Sequence, residues 1–220
     1  MQNSTDIMFP VLLVVFGTCA AVCCADEAPA RVEFEKDPVA LSVVFGMDPG
    51  KGKYDGVIGE PNDTWNLLDV RQTSIKSLRS HTGSKTPVDL KVSENDGEWG
   101  IKDHTGVFHA YIYHNSRDVD LQATFTGLSS GQYRIYVYAH GDAPDQNAKI
   151  ELAIGTEVIG SKSTLNDGSW DFRSKTFKEG VQFVSFEFTV KESEPVKVTS
   201  KRAGSSYSMF NAIQIVRLMK

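Results

Sequence analysis

Apolar residues recur at every second position along most of this chain, and that alternation limits the fold more than any other feature. In an extended strand successive side chains point to opposite faces, so a period of two marks a strand with one face buried. Val119, Leu121, Ala123 and Phe125 alternate with Asp120, Gln122, Thr124 and Thr126. Tyr133, Ile135, Val137 and Ala139 share one face of the next run. Ile150, Leu152 and Ile154 follow, then Val184, Phe186, Phe188 and Val190, then Val196 and Val198. Shorter strands are expected at 41–45, 74–79, 88–92, 156–160 and 171–177, and a last one at about 207–217 with Ile213 and Ile215 facing in. Gly, Asp, Asn and Ser clusters join them. No long apolar helical stripe appears, and one helical turn is expected within 107–113. Many short strands with one-sided alternation predict an all-β antiparallel β-sandwich.

The N-terminus has a different character. Met8 to Ala25 is an uncharged run ending in small residues, followed at once by Asp26 and Glu27. This reads as a secretory signal peptide over 1–25, cleaved after Ala25. An uncleaved anchor is the alternative, since the run is near the minimum of about 17 residues for a bilayer span and lacks a basic flank. Lipidation of a cysteine is a further alternative. Residues 26–38, with Pro29 and Pro38, form a lead-in, and 39–220 form the sandwich domain. No later stretch is apolar enough to span a membrane. All three cysteines, Cys19, Cys23 and Cys24, lie in the leader, so the exported chain is expected to hold together without disulfides.

Charge narrows the partners. Lys and Arg number 23 and Asp and Glu 28, for a net charge of −5. No basic block is present, so there is no electrostatic footprint for nucleic acid. The oligomeric state is not legible in the sequence.

Three segments carry a family resemblance. FTGLSSGQYRIYVYAHGD from Phe125 resembles a recurrent hairpin of exported sandwich modules. FNAIQIV from Phe210 looks like the closing strand of galactose-binding-like jelly rolls. YDGVIGEPNDTWNLL from Tyr54 is similar to the opening of such domains in secreted bacterial proteins of planctomycete type. The resemblance implies a jelly-roll sandwich, often a carbohydrate-binding module and often with structural calcium. It supplies no ligand, because such folds host many functions.

Candidate chemistry gathers at loops. Trp65, Trp99 and Trp170 each follow an Asn-Asp pair and so start at a loop lip. A flat ring there can stack on a sugar face; it can equally be a core anchor at a strand start. Tyr136 and Tyr138 face away from Ile135 and Val137, beside a polar loop of His140, Asp142, Asp145 and Asn147. These residues are expected to form a ligand surface, with cross-strand aromatic pairing as the competing explanation. Asp142, Asp145, Asp167 and Asp171 offer oxygen ligands for calcium, though no spaced calcium motif is present. The five histidines lack metal-ligand spacing. No nucleophile elbow, phosphate loop or dinucleotide fingerprint appears.

The function expected is that of an exported, non-catalytic module binding carbohydrate. Two alternatives are a structural or adhesive protein of the envelope or matrix, and a glycan-active hydrolase or lyase with widely placed carboxylates.

Overall fold

The structure is a computed structural model that describes residues 40–47, 54–102, 104, 106–174, 176–191 and 194–219. The expected leader and lead-in lie outside the described residues. Among the described residues no helix is long and apolar enough to cross a membrane.

The strands in chain order are β1 (Ala40–Phe45), β2 (Asn66–Leu68), β3 (Ser74–Ile75), β4 (Asp89–Val92), β5 (Gly97–Gly100), β6 (Ala110–His114) and β7 (Leu121–Thr126). They continue as β8 (Gly131–Tyr138), β9 (Ala148–Ile154), β10 (Glu157–Ser163), β11 (Phe183–Val190), β12 (Val196–Arg202), β13 (Ser208–Phe210) and β14 (Ala212–Arg217). One sheet has the order β11-β8-β14-β1-β2 and another β10-β9-β12-β7-β4-β3. A small third sheet, β13-β6-β5, completes the fold. Pairing is antiparallel except between β1 and β2. The chain changes sheet between β7 and β8, β8 and β9, β10 and β11, and β11 and β12. That repeated crossing is the wrapping of a jelly roll. The expected all-β antiparallel sandwich is therefore the observed fold.

One continuous core fills the space between the two large sheets. Leu41, Val43, Ile135, Val137, Ile213 and Ile215 face it from the five-stranded sheet, and Leu90, Leu121, Phe125, Ile150, Leu152 and Val198 from the six-stranded sheet. These are the alternating positions read from the sequence. The helical turn expected within 107–113 is a single 3-10 turn over Gly106–Phe108, after which the chain becomes β6.

Two expectations need correction. The described residues of 171–177 form no strand. Asp171–Arg173 is a 3-10 turn, with Phe172 buried against His140 and Phe177 packed on a second apolar cluster. The apparent alternation comes from two aromatics anchoring a loop. The outer side of the five-stranded sheet is also not solvated throughout: Glu187 and Thr189 of β11 are exposed there, but much of the rest is covered. Val44, Tyr136, Tyr138, Phe183 and Val216 project there and are covered by Tyr54, Ile58 and Val107.

That cover is fastened by a buried polar network. The Tyr138 hydroxyl donates to Gln214 Oε1 at 2.6 Å and accepts the Val57 N–H at 2.7 Å. Gln214 Nε2 donates to Ser42 Oγ and to the Ile58 carbonyl, both at 3.0 Å. Each buried polar atom here has a partner, as burial requires. Gly56 lies against the same amide, and a Cβ on it would sit 2.1 Å from Gln214 Oε1. Gln214 is held by its other bonds, so only glycine lets the loop lie this close.

Candidate functional site

The loop after β8 is braced from beneath. His140 and Asn147 form an isolated antiparallel bridge that closes it, and the Gly141 N–H donates to the Gln146 carbonyl at 2.7 Å. The His140 N–H donates to Asn211 Oδ1 at 2.8 Å, and Asn211 Nδ2 donates to the Ala110 carbonyl at 3.0 Å. Asn147 Nδ2 donates to the Thr164 carbonyl at 3.1 Å, while Thr164 Oγ1 donates to the Ala139 carbonyl at 2.7 Å. Asn147 Oδ1 also accepts from Asn166 Nδ2 at 2.8 Å. Buried side chains so tightly bonded hold the loop in one shape.

His140 is 1% exposed and stacks on Phe172 with ring centroids 4.1 Å apart. Burial pushes its imidazole below the ordinary histidine range, against the raising effect of hydrogen bonds to the Gly141 and Leu165 carbonyls. Tyr138 is 0% exposed, and burial pushes its hydroxyl well above the ordinary tyrosine range. Tyr136, Tyr138, His140 and Asn147 therefore do not form a contact surface, and that expectation is corrected. Their faces are occupied by the outer apolar cluster and by the braces of the loop.

The remaining residues separate into two places. Trp65 is half-buried on the outer apolar cluster, tilted against Tyr54 at 5.6 Å, which is the core-anchor role. Trp99 and Trp170 are 52% and 54% exposed, the two exposed aromatic rings among the described residues. Asp142 lies between them. It accepts from Trp99 Nε1 through Oδ2 at 3.2 Å, and its carbonyl accepts from Arg173 Nη2 at 3.3 Å. The Arg173 guanidinium stands 4.3 Å over the Trp170 ring. Asp145 is exposed on the same loop. The chain thus joins Trp99, Asp142, Arg173 and Trp170 into one array at one end of the sandwich.

Local folding explains how each arrives. Trp99 sits on β5 opposite Tyr111 of β6, so the two project from the same face of the small sheet. The Asn95 side chain accepts the Gly97 N–H at 3.1 Å and sets the turn before that strand. Asp167 accepts the Ser169 N–H at 2.8 Å and makes the equivalent turn before Trp170. The Asp142 N–H donates to Gln146 Oε1 at 2.9 Å, which helps hold the carboxylate at the Trp99 ring edge. Sequence reasoning found Trp99, Trp170 and Asp142 but missed Arg173, Phe172 and Asn211. Nothing marked Arg173 while 171–177 read as a strand; its place follows from the 3-10 turn over Asp171–Arg173. Asn211 carried no signal, since its role depends on pairing across the whole fold.

The aspartates named as oxygen ligands do not converge. Among the described residues no group of three or more carboxylates or imidazoles is placed to hold a metal ion. Asp142 and Asp167 spend oxygens on Trp99 and Ser169. What the array offers is two half-exposed indole rings, a guanidinium stacked on one of them, and carboxylate oxygens on a fixed loop, a combination suited to stacking on and hydrogen-bonding a polar ring.

No family model and no curated protein matches the sequence. Several solved structures resemble it distantly. The YXIM protein of Bacillus subtilis is 12% identical over 81% of this chain, with a TM-score of 0.43, and this chain spans 40% of that protein's length. A family 35 carbohydrate binding module from Clostridium thermocellum is 14% identical, covering 57% of this chain and 90% of the module, with a TM-score of 0.40. A carbohydrate binding module of Cellvibrio mixtus lichenase 5A, in complex with cellotriose, is 15% identical over 58% of this chain and 92% of its own, with a TM-score of 0.37.

Proposed function

We propose that this protein is an exported carbohydrate-binding module and that its ligand lies across Trp99, Asp142, Arg173 and Trp170. The carrying observation is that the two exposed indoles are linked through one braced loop rather than scattered. A half-exposed indole offers a flat apolar face to a ligand, and sugar rings present the apolar C–H face that stacks on it. Asp142, Asp145 and Arg173 supply acceptors and donors for hydroxyls around that face. Because the loop is already fixed, little ordering entropy opposes binding. Export rests on the uncharged run before Asp26.

A glycan array followed by calorimetry tests the reading. Trp99→Ala and Trp170→Ala should each weaken binding of the best glycan by about 1–2 kcal/mol, the scale of a lost aromatic contact with its area. Both variants should unfold like the parent, because the rings are half in solvent. Undiminished binding in both variants would overturn the site. An array with no binder would favour the structural or adhesive alternative, and release of reducing ends from a polysaccharide would favour the hydrolase.

A further inference from the structure

A second recess lies at the opposite end of β8 from the tryptophan array. Its first wall is the tight hairpin over 79–86. There the Ser80 N–H donates to the Ser84 carbonyl at 2.8 Å, and the Thr86 N–H to the Leu78 carbonyl at 2.9 Å. Its second wall is the turn between β7 and β8, at Gly127–Ser129. The walls meet where Gly127 passes Pro87. Gly127 has φ +85°, and a Cβ on it would lie 2.3 Å from the Pro87 carbonyl oxygen, so glycine sets the width. The cavity holds about 330 Å³. That is the lower end of the roughly 300–1,000 Å³ range of small-molecule sites, the size for one ring rather than a chain of them.

Its chemistry is uneven in an informative way. Pro87, Val88 and Leu128 give it an apolar floor. Thr82, Ser84 and Ser129 place hydroxyls around the rim. His81 lines it too, and its Nδ1 is buried without a hydrogen-bond partner. Such an orphan costs free energy until something fills it. Lys85 is the one charged lining residue. It is exposed, and no carboxylate shares the lining with it. In a chain of net charge −5, a recess with an exposed ammonium and no acidic lining selects for an anion. A single lysine suits one negative charge. Phosphate sites instead gather arginines or converging backbone amides.

We propose that this recess is a second binding site, for a hydroxylated monocarboxylate of single-ring size, a hexuronate being the type. The carboxylate pairs with Lys85, ring hydroxyls meet the rim and the His81 imidazole, and the ring's apolar face rests on Val88 and Leu128.

The site is independent of the tryptophan array, and the test separates them. The protein is titrated with D-galacturonate and D-glucuronate, with D-galactose as the uncharged control, and followed by the backbone amide resonances of 80–86, 88 and 127–129. Saturable shifts with a uronate and at least about 10-fold weaker response to galactose are expected, the scale of a charge-assisted hydrogen bond. Lys85→Gln should weaken the uronate about 10-fold or more. Ser84→Trp, on the exposed rim, should block it, and Trp99→Ala should leave it unchanged. Lys85 and Ser84 are exposed, so thermal unfolding of both variants should match the parent and exclude misfolding. Absent shifts at these amides, equal binding of galactose, or full binding by Lys85→Gln would each overturn the proposal.

Discussion

The two large sheets solve the same problem differently. In the six-stranded sheet, β7 alternates strictly: Leu121, Ala123 and Phe125 are buried, while Gln122 and Thr124 on the other face are half exposed. Lys149, Glu151, Lys197 and Lys201 keep that outer face polar, with Lys201 paired to Glu151 at 2.9 Å. In the five-stranded sheet, every residue of β1 is buried, and so is every residue of β14 except Arg217. The six-stranded sheet has a wet face and reads as alternating; β1 and β14 of the other are covered twice and read as nearly continuous apolar runs, while β11 at its edge keeps Glu187 and Thr189 exposed and alternates again. The lesson is that a strand's pattern reports the number of its covers, and that neighbouring strands must be read together.

The contrast can be broken most directly by truncating a ring on each side of the five-stranded sheet. Phe125→Ala opens the central core, and Tyr138→Ala opens the outer cluster. Each should cost about 3–5 kcal/mol in chemical denaturation. A Tyr138→Ala cost below about 1 kcal/mol would show that the outer cover is dispensable. Gly56→Ala should come next, at about 1–3 kcal/mol, because the new methyl collides with the Gln214 amide that holds the cover down. A neutral result would mean that the cover can lift freely.

The five-stranded side also carries the buried imidazole. The folded state holds the His140 pKa below its ordinary value, so protonation favours the unfolded chain. The stability linked to it is fully present above the ordinary histidine range and is lost as pH falls through the folded value. Denaturation midpoints should decline on acidification from neutral pH, and less so in His140→Gln. An identical slope in both proteins would place the sensitivity elsewhere. The smallest effect belongs to the wet face. Thr124→Ala should alter stability by no more than about 0.5 kcal/mol. A larger loss would mean that this face is covered as well.

Much of the fold was legible because period two is a local signal. Phe125, Ile135, Phe186 and Ile213 lie on the face assigned to them. The second cover was not legible from β8 alone, where tyrosines at 136 and 138 suit a wet face or a dry one equally. The hint lay in ALSVVF and AIQIV, whose alternate positions are also small or apolar. At the candidate site, Asn-Asp turns marked Trp99 and Trp170, since an Asx turn is built from adjacent residues. His140 and Asn147 misled because polar residues in a loop look like ligand contacts. Here they are the loop's own hydrogen-bonded framework, and only the pairing with Thr164 and Asn211 reveals it.

The pairing of β1 with β14 has a kinetic consequence. Ser42 faces Gln214 in register, and the buried amide of Gln214 bonds the Ser42 hydroxyl across 172 positions of sequence. No shorter piece of this chain can complete the five-stranded sheet. Closing so long a loop makes the transition state slow to reach, as in other folds dominated by distant contacts. During synthesis the polypeptide therefore stays open until β14 has left the ribosome.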